Sequence, residues 1–176
     1  MNAFRRIALG LICGLALLAG TAAVAGDAAD KPGRFVVSGD VEHRLKLHVS
    51  DLVKLPQQML TVSFLAGNGY QTHTYTGPLL LDVLNLAGPA FDPSIKNDKL
   101  RHYVVVTGSD GYQVVVAWGE FDPGFEAKQI LLAATEDGGS LADTGPRLVV
   151  PADIHGGRYV TNVVSVRLRP GHGDDD

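Results

Sequence analysis

Five residues of this chain pair a ligand-holding side chain with a setting that could present it: Asn68, His73, Arg147, His155 and Arg158. Asn68 and His73 lie in FLAGNGYQTHTYTGP, residues 64 to 78, where glycines punctuate two apolar runs. An amide at Asn68 can orient a ligand, and Asn-Gly is also the pair that turns a hairpin at low cost. His73 alternates with Tyr75, so its imidazole could face a pocket and bind a metal or an anion. Arg147 follows Gly145-Pro146 and enters the apolar run RLVVP. A charge there needs a partner, either a buried Asp or an anionic ligand. In His155-Gly156-Gly157-Arg158 two glycines can expose backbone N–H groups as an anion-binding nest, with a cationic side chain close by. Asp110-Gly111-Tyr112 reads as a hairpin turn whose phenol could line a pocket. His172 with Asp174, Asp175 and Asp176 reads as a solvated acidic tail over 170–176. G-x-S-x-G, H-E-x-x-H, the phosphate-binding loop and G-x-G-x-x-G are absent from the sequence.

The chain ends narrow the setting. Arg5 and Arg6, the apolar run IALGLICGLALLAG and the A-x-A signal Ala23-Val24-Ala25 read as an export signal over 1–25, most simply to a bacterial periplasm. Cleavage there leaves 151 of the 176 residues, enough for one domain with a real core. Loss of the two arginines takes the formal charge from −4 to −6. An acidic domain is ill suited to nucleic acid or anionic membranes. The only cysteine, Cys13, leaves with the signal, so no disulfide, thiolate nucleophile or sulfur ligand is expected in the mature chain.

The elements that must position these residues are mostly short strands. After a flexible lead-in over 26–33, FVVSG reads as a strand, and VEHRLKLHV alternates with the period of two that marks a half-buried strand over 41–49. Ser50 is placed to cap a short helical turn that Pro56 stops. MLTVSF and QTHTYT form a pair of strands around Gly67-Asn68-Gly69. Pro78 suits the first position of a buried helix in LLLDVLNLAG, and Gly88 suits its end. RHYVVVTG and YQVVVAW make a second hairpin. ILLAAT and RLVVP are short buried strands separated by a long turn-rich loop, and VVSVRLR is the last strand. The fold class is α+β, β-rich, with one good helix and a single domain over 34–169.

Taken in order, these pieces resemble a family. TGPLLLDVLNLAG matches the pattern T-G-x-x-L-x-D-x-L-x-x-A-G. SDGY at 109–112 matches a D-G-Y hairpin. QILLAATEDGGSLADTGPRLVVPADIHGGRYVTNVVSVRL matches an ending that carries G-P-x-R-L-V-V-P and G-x-R-x-V. The set resembles the molybdopterin-binding oxidoreductase domain of the sulfite oxidase type, from about Phe35 to Leu168. The resemblance implies a β-sheet domain holding a pterin dithiolene that chelates molybdenum, with a cysteine in C-A-G-N-R as a further sulfur ligand. Here Leu65 stands in the cysteine place, Gly69 in the arginine place, and Thr161 where a cofactor-holding lysine is usual. Molybdenum in oxygen-transfer chemistry favours sulfur donors, which a leucine cannot supply.

These readings imply an exported, molybdopterin-oxidoreductase-like domain that acts as a non-catalytic module. Its expected partners are a small anion, a residual pterin or a periplasmic redox or protein partner. A periplasmic molybdopterin-dependent oxidoreductase is the alternative. A His-based metal or small-molecule binder built on His43, His48, His73 or His155 is the third.

Overall fold

A computed structural model of the chain describes residues 32–171. The export signal, most of the lead-in and residues 172–176 of the acidic tail lie outside the described residues. A five-stranded mixed sheet runs in the order β2-β1-β11-β5-β6, built from β1 (Arg34–Gly39), β2 (Leu45–His48), β5 (His102–Gly108), β6 (Gln113–Ala117) and β11 (Val163–Pro170). Only β1 and β11 pair parallel. A four-stranded sheet, β3-β4-β8-β9, comprises β3 (Gln58–Ala66), β4 (Gly69–Gly77), β8 (Thr135–Glu136) and β9 (Gly139–Ser140). Between them lies the antiparallel pair of β7 (Leu131–Ala133) and β10 (Arg147–Val149). The α-helices among the described residues are α1 (Val49–Leu52), α2 (Leu80–Ala87) and α3 (Trp118–Phe121).

The β7–β10 pair explains two sequence features. Both strands are buried on both faces, so they read as unbroken apolar runs rather than alternating ones. Alternate side chains then serve two cores. Leu132, Ala134, Leu148 and Val150 join the large core with α2 and the five-stranded sheet. Leu131, Ala133 and Val149 join a smaller core with Val62, Phe64, Tyr75 and Tyr159. Arg147 is two residues before Val149 and so faces the smaller core. That register sets the geometry of the site.

Several local readings are corrected. Only Leu45–His48 of the expected 41–49 strand pairs with β1. The backbone N–H groups of Glu42 and His43 instead donate to Gly88 and Ala87 at 2.8 and 2.9 Å, satisfying carbonyls at the end of α2. The cap of α1 is His48 rather than Ser50: its Nδ1 accepts from Ser50 N–H at 3.1 Å, while Asp51 Oδ2 accepts from His48 N–H at 3.0 Å. The first residue of α2 is Leu80 rather than Pro78, with Leu79 as its cap, and the end at Gly88 adopts φ +67 as expected. The loop after β7 is not structureless. Its first part folds as the tight β8–β9 hairpin, whose turn is Asp137-Gly138 with Asp137 at φ 50 and Gly138 at φ 80.

Candidate functional site

The β3–β4 hairpin closes in register from Gln58 opposite Gly77 to Ala66 opposite Gly69, leaving Gly67-Asn68 as the tip. Its outer face is polar, with Thr61–Thr74 and Ser63–Thr72 hydroxyl pairs at 2.9 and 2.7 Å. The inner face carries Val62, Phe64, His73 and Tyr75. Antiparallel pairing of β4 with β8 brings Glu136 opposite Tyr75.

Around that pairing the polar groups knot together. Both Glu136 carboxylate oxygens accept from Arg147 Nη1, at 3.1 and 3.0 Å. The fully buried Tyr75 donates its hydroxyl to Glu136 Oε1 at 3.0 Å, and the Arg147 guanidinium lies 5.5 Å from the Tyr75 ring centroid. Burial pushes the Tyr75 phenol far above its ordinary value; Arg147 opposes this, and Glu136 adds to it. Asp137 Oδ1 accepts from the Thr74 N–H at 2.8 Å, and Asp137 Oδ2 lies 2.7 Å from His73 Nδ1. Those two bonds, the backbone one first, hold the Asp137 carboxyl below the usual range.

A cleft of about 470 Å³ opens beside this knot. Its walls are the end of β3 from Phe64 to Gly67, Gln71 of β4, Arg147, and the loop His155–Gly157. The loop is pinned to β3 by Leu65 N–H donating to the Ile154 carbonyl at 2.8 Å, and to the β5–β6 hairpin by the Tyr112 hydroxyl donating to the Gly157 carbonyl at 2.8 Å. Gly156 sits against Phe64 so closely that a Cβ there would lie 2.8 Å from Phe64 Cδ2. Phe64 in turn stacks on Tyr159 with centroids 4.2 Å apart. Among the described residues two buried side-chain polar atoms, Arg147 Nε and the Tyr159 hydroxyl, have no hydrogen-bond partner. Such atoms are rare, and each invites an acceptor.

A larger hollow of about 750 Å³ lies around Asp40 and His102. There His102 is satisfied on both ring nitrogens, with Nε2 2.7 Å from Asp40 Oδ2 and Nδ1 2.9 Å from the Asp98 carbonyl. The smaller cleft has the unmet donor and is the better site.

Of the five residues singled out by sequence, Arg147 and His155 line the cleft. Asn68 stands at the exposed tip, accepting from Gln71 Nε2 at 2.7 Å. His73 is on the same face but pairs with Asp137, its ring 6.1 Å from that of Phe64. Arg158 is engaged elsewhere. Its Nε and Nη2 donate to Asp153 at 2.8 and 2.7 Å, and its Nη1 donates to Glu120 at 3.2 and 2.9 Å. The partner of Arg147 within the chain is a glutamate, where an aspartate or a ligand was expected. Glu136, Asp137, Tyr75 and Tyr159 were not anticipated. The Asp-Gly turn signal at 137–138 could have revealed the first two, because it predicts a hairpin that must pair with something.

The Arg158 clamp gives a pH prediction. Burial raises the Glu120 carboxyl, but donation from Arg158 and from the Ala117 N–H outweighs it and holds the group below its ordinary value of 4.5. A depressed folded value means the contribution is present above pH 4.5 and is lost as pH falls through the folded value. Glu120→Gln is therefore expected to melt below the wild type at neutral pH, and the gap should narrow as pH falls below 4.5. Thermal melts across that range check it.

The arrangement defines an α+β domain with an arginine-walled cleft between a hairpin tip and a glycine loop. No family model matches the chain, and no curated protein matches it. Among solved structures, the sulfane dehydrogenase SoxCD from Paracoccus pantotrophus has a related fold, with a TM-score of 0.63 at 18% identity. The match covers 88% of this chain and 41% of that one, so the chain spans less than half the length of this neighbour. No helix among the described residues is long and apolar enough to cross a membrane.

The residues present do not fit the metal-chelating pterin that the sequence resemblance implies. The place of the sulfur ligand is taken by Leu65, which has no donor atom in its side chain. No cysteine occurs among the described residues. Arg158, one of the two remaining cations of the matching segment, is held by two carboxylates, and Thr161 supplies no charge.

Proposed function

We propose that this domain is a non-catalytic binding module that holds a small oxyanion in the Arg147 cleft, exported to the periplasm by its N-terminal segment. The observation that carries the reading is the buried, unpartnered Nε of Arg147, a residue that lines the cleft. Guanidinium groups bind carboxylate and phosphate oxygens through two parallel N–H donors, and Nε belongs to such an edge. On Arg158 the Nε and Nη2 edge is filled by Asp153. On Arg147 the bonds to Glu136 both leave from Nη1, and Nε has no acceptor. Two of the five sequence candidates, Arg147 and His155, thus support one site.

The alternative, a periplasmic molybdopterin-dependent oxidoreductase, is favoured by the likeness in fold to a sulfane dehydrogenase. Fold alone does not carry activity, and the donor set opposes it. A metal centre at His73, Glu136 and Asp137 has its candidate ligand atoms within 4.8 Å of one another. Against it, Glu136 is already neutralised by Arg147, and Asp137 is tied to Thr74.

Elemental analysis and pterin fluorescence on protein purified from its native host decide among these. The module reading predicts molybdenum, tungsten and pterin all far below one per chain. Near-stoichiometric metal with pterin would overturn it in favour of the oxidoreductase. Leu65→Cys is expected not to restore molybdenum uptake, because a thiolate alone does not replace the missing cations.

A further inference from the structure

We infer that the ligand of the cleft is an organic monocarboxylate with an apolar body rather than an inorganic oxyanion. The inference rests on the reading of the cleft as an oxyanion site and names what that site selects. Its first support is charge. The cation in the wall, Arg147, already shares its charge with Glu136 3.0 Å away. A dianion such as phosphate or sulfate would face that carboxylate with no second arginine or lysine in the lining. A singly charged, planar carboxylate asks only for the guanidinium edge that Nε belongs to. Its second support is the remaining wall. Phe64 and Ala66, on the inner face of β3, line the cleft together with Arg147 and glycine backbone. At about 470 Å³ the cleft falls in the ordinary range for small-molecule sites.

Apolar burial sets the expected result. Each methylene taken from water into the cleft should tighten binding by up to about fourfold. Calorimetric titration of the wild-type chain with acetate, butyrate, hexanoate, inorganic phosphate and sulfate at fixed ionic strength tests this. Kd is expected to fall about three- to fourfold per methylene from acetate to hexanoate. Ala66→Ser should weaken hexanoate more than acetate, and Arg147→Lys should weaken every acid about tenfold. Phosphate or sulfate binding as tightly as hexanoate, with no dependence on chain length, would overturn the monocarboxylate inference and leave the oxyanion reading standing. Hexanoate binding that ignores Arg147→Lys would overturn it as well. If none of the five anions binds the wild type, both readings fall together.

Discussion

Arg147→Ala is expected to abolish oxyanion binding and to lower Tm by about 5–10 °C in the same protein. The two effects have one cause. Arg147 and Glu136 are 17% and 22% exposed, so the pair lies mostly out of water. Removing the guanidinium leaves Glu136 with only the His73 ring, 3.5 Å from its Oε1, as a possible counterion. It also strips the cation from the face of the fully buried Tyr75. A loss of about 2–4 kcal/mol is expected, below the figure for a wholly buried pair because both groups keep some solvent. For a domain of this size that corresponds to the Tm change given. Glu136→Gln separates the two roles. It should lower Tm by less, because the amide still accepts from Tyr75, and should leave or strengthen anion binding by releasing Arg147 from its internal carboxylate. Thermal melts and titration of both variants check the pair. Arg147→Ala with unchanged binding would remove the arginine from the site.

Gly77→Ala is expected to be the most destabilising conservative change in the hairpin, at about 3–5 kcal/mol. The residue ends β4 where that strand crosses β7. A Cβ there would lie 2.5 Å from the Leu132 carbonyl oxygen, 2.6 Å from Ala133 Cα and 3.0 Å from the Ala134 nitrogen. All three are backbone atoms, so no side chain can swing aside. The strand that would have to move contributes Leu131 and Ala133 to one core and Leu132 and Ala134 to the other. Chemical denaturation measures the effect. Wild-type-like stability would mean that β4 and β7 do not approach so closely.

The sequence was informative wherever one physical rule dominated. Gly88 could be read as the end of α2 because left-handed backbone favours glycine, and the φ of +67 follows. Alternation located β4 and β11. It misled over 41–49, where the pattern continued but the backbone was claimed by the carbonyls at the end of α2. The β8–β9 hairpin escaped because its strands are two residues long, too short for periodicity to register. That omission hid the site's chemistry: Glu136 and Asp137 reach Arg147 and His73 only through that hairpin. Arg147 itself was legible as a charge that needed a partner, but which partner it takes is a tertiary matter. Arg158 illustrates the converse. Its motif looked ligand-binding, while Glu120, 38 residues earlier, and Asp153 fill its donors.

The claim at the centre of this account is that Arg147 Nε takes an external oxyanion. Arginine side-chain Nε–H resonances of ¹⁵N-labelled protein report on it directly during titration with hexanoate. The Arg147 signal is expected to move downfield and saturate, while that of Arg158, already bonded to Asp153, stays in place. A saturating titration in which the Arg147 Nε–H does not move would contradict the account.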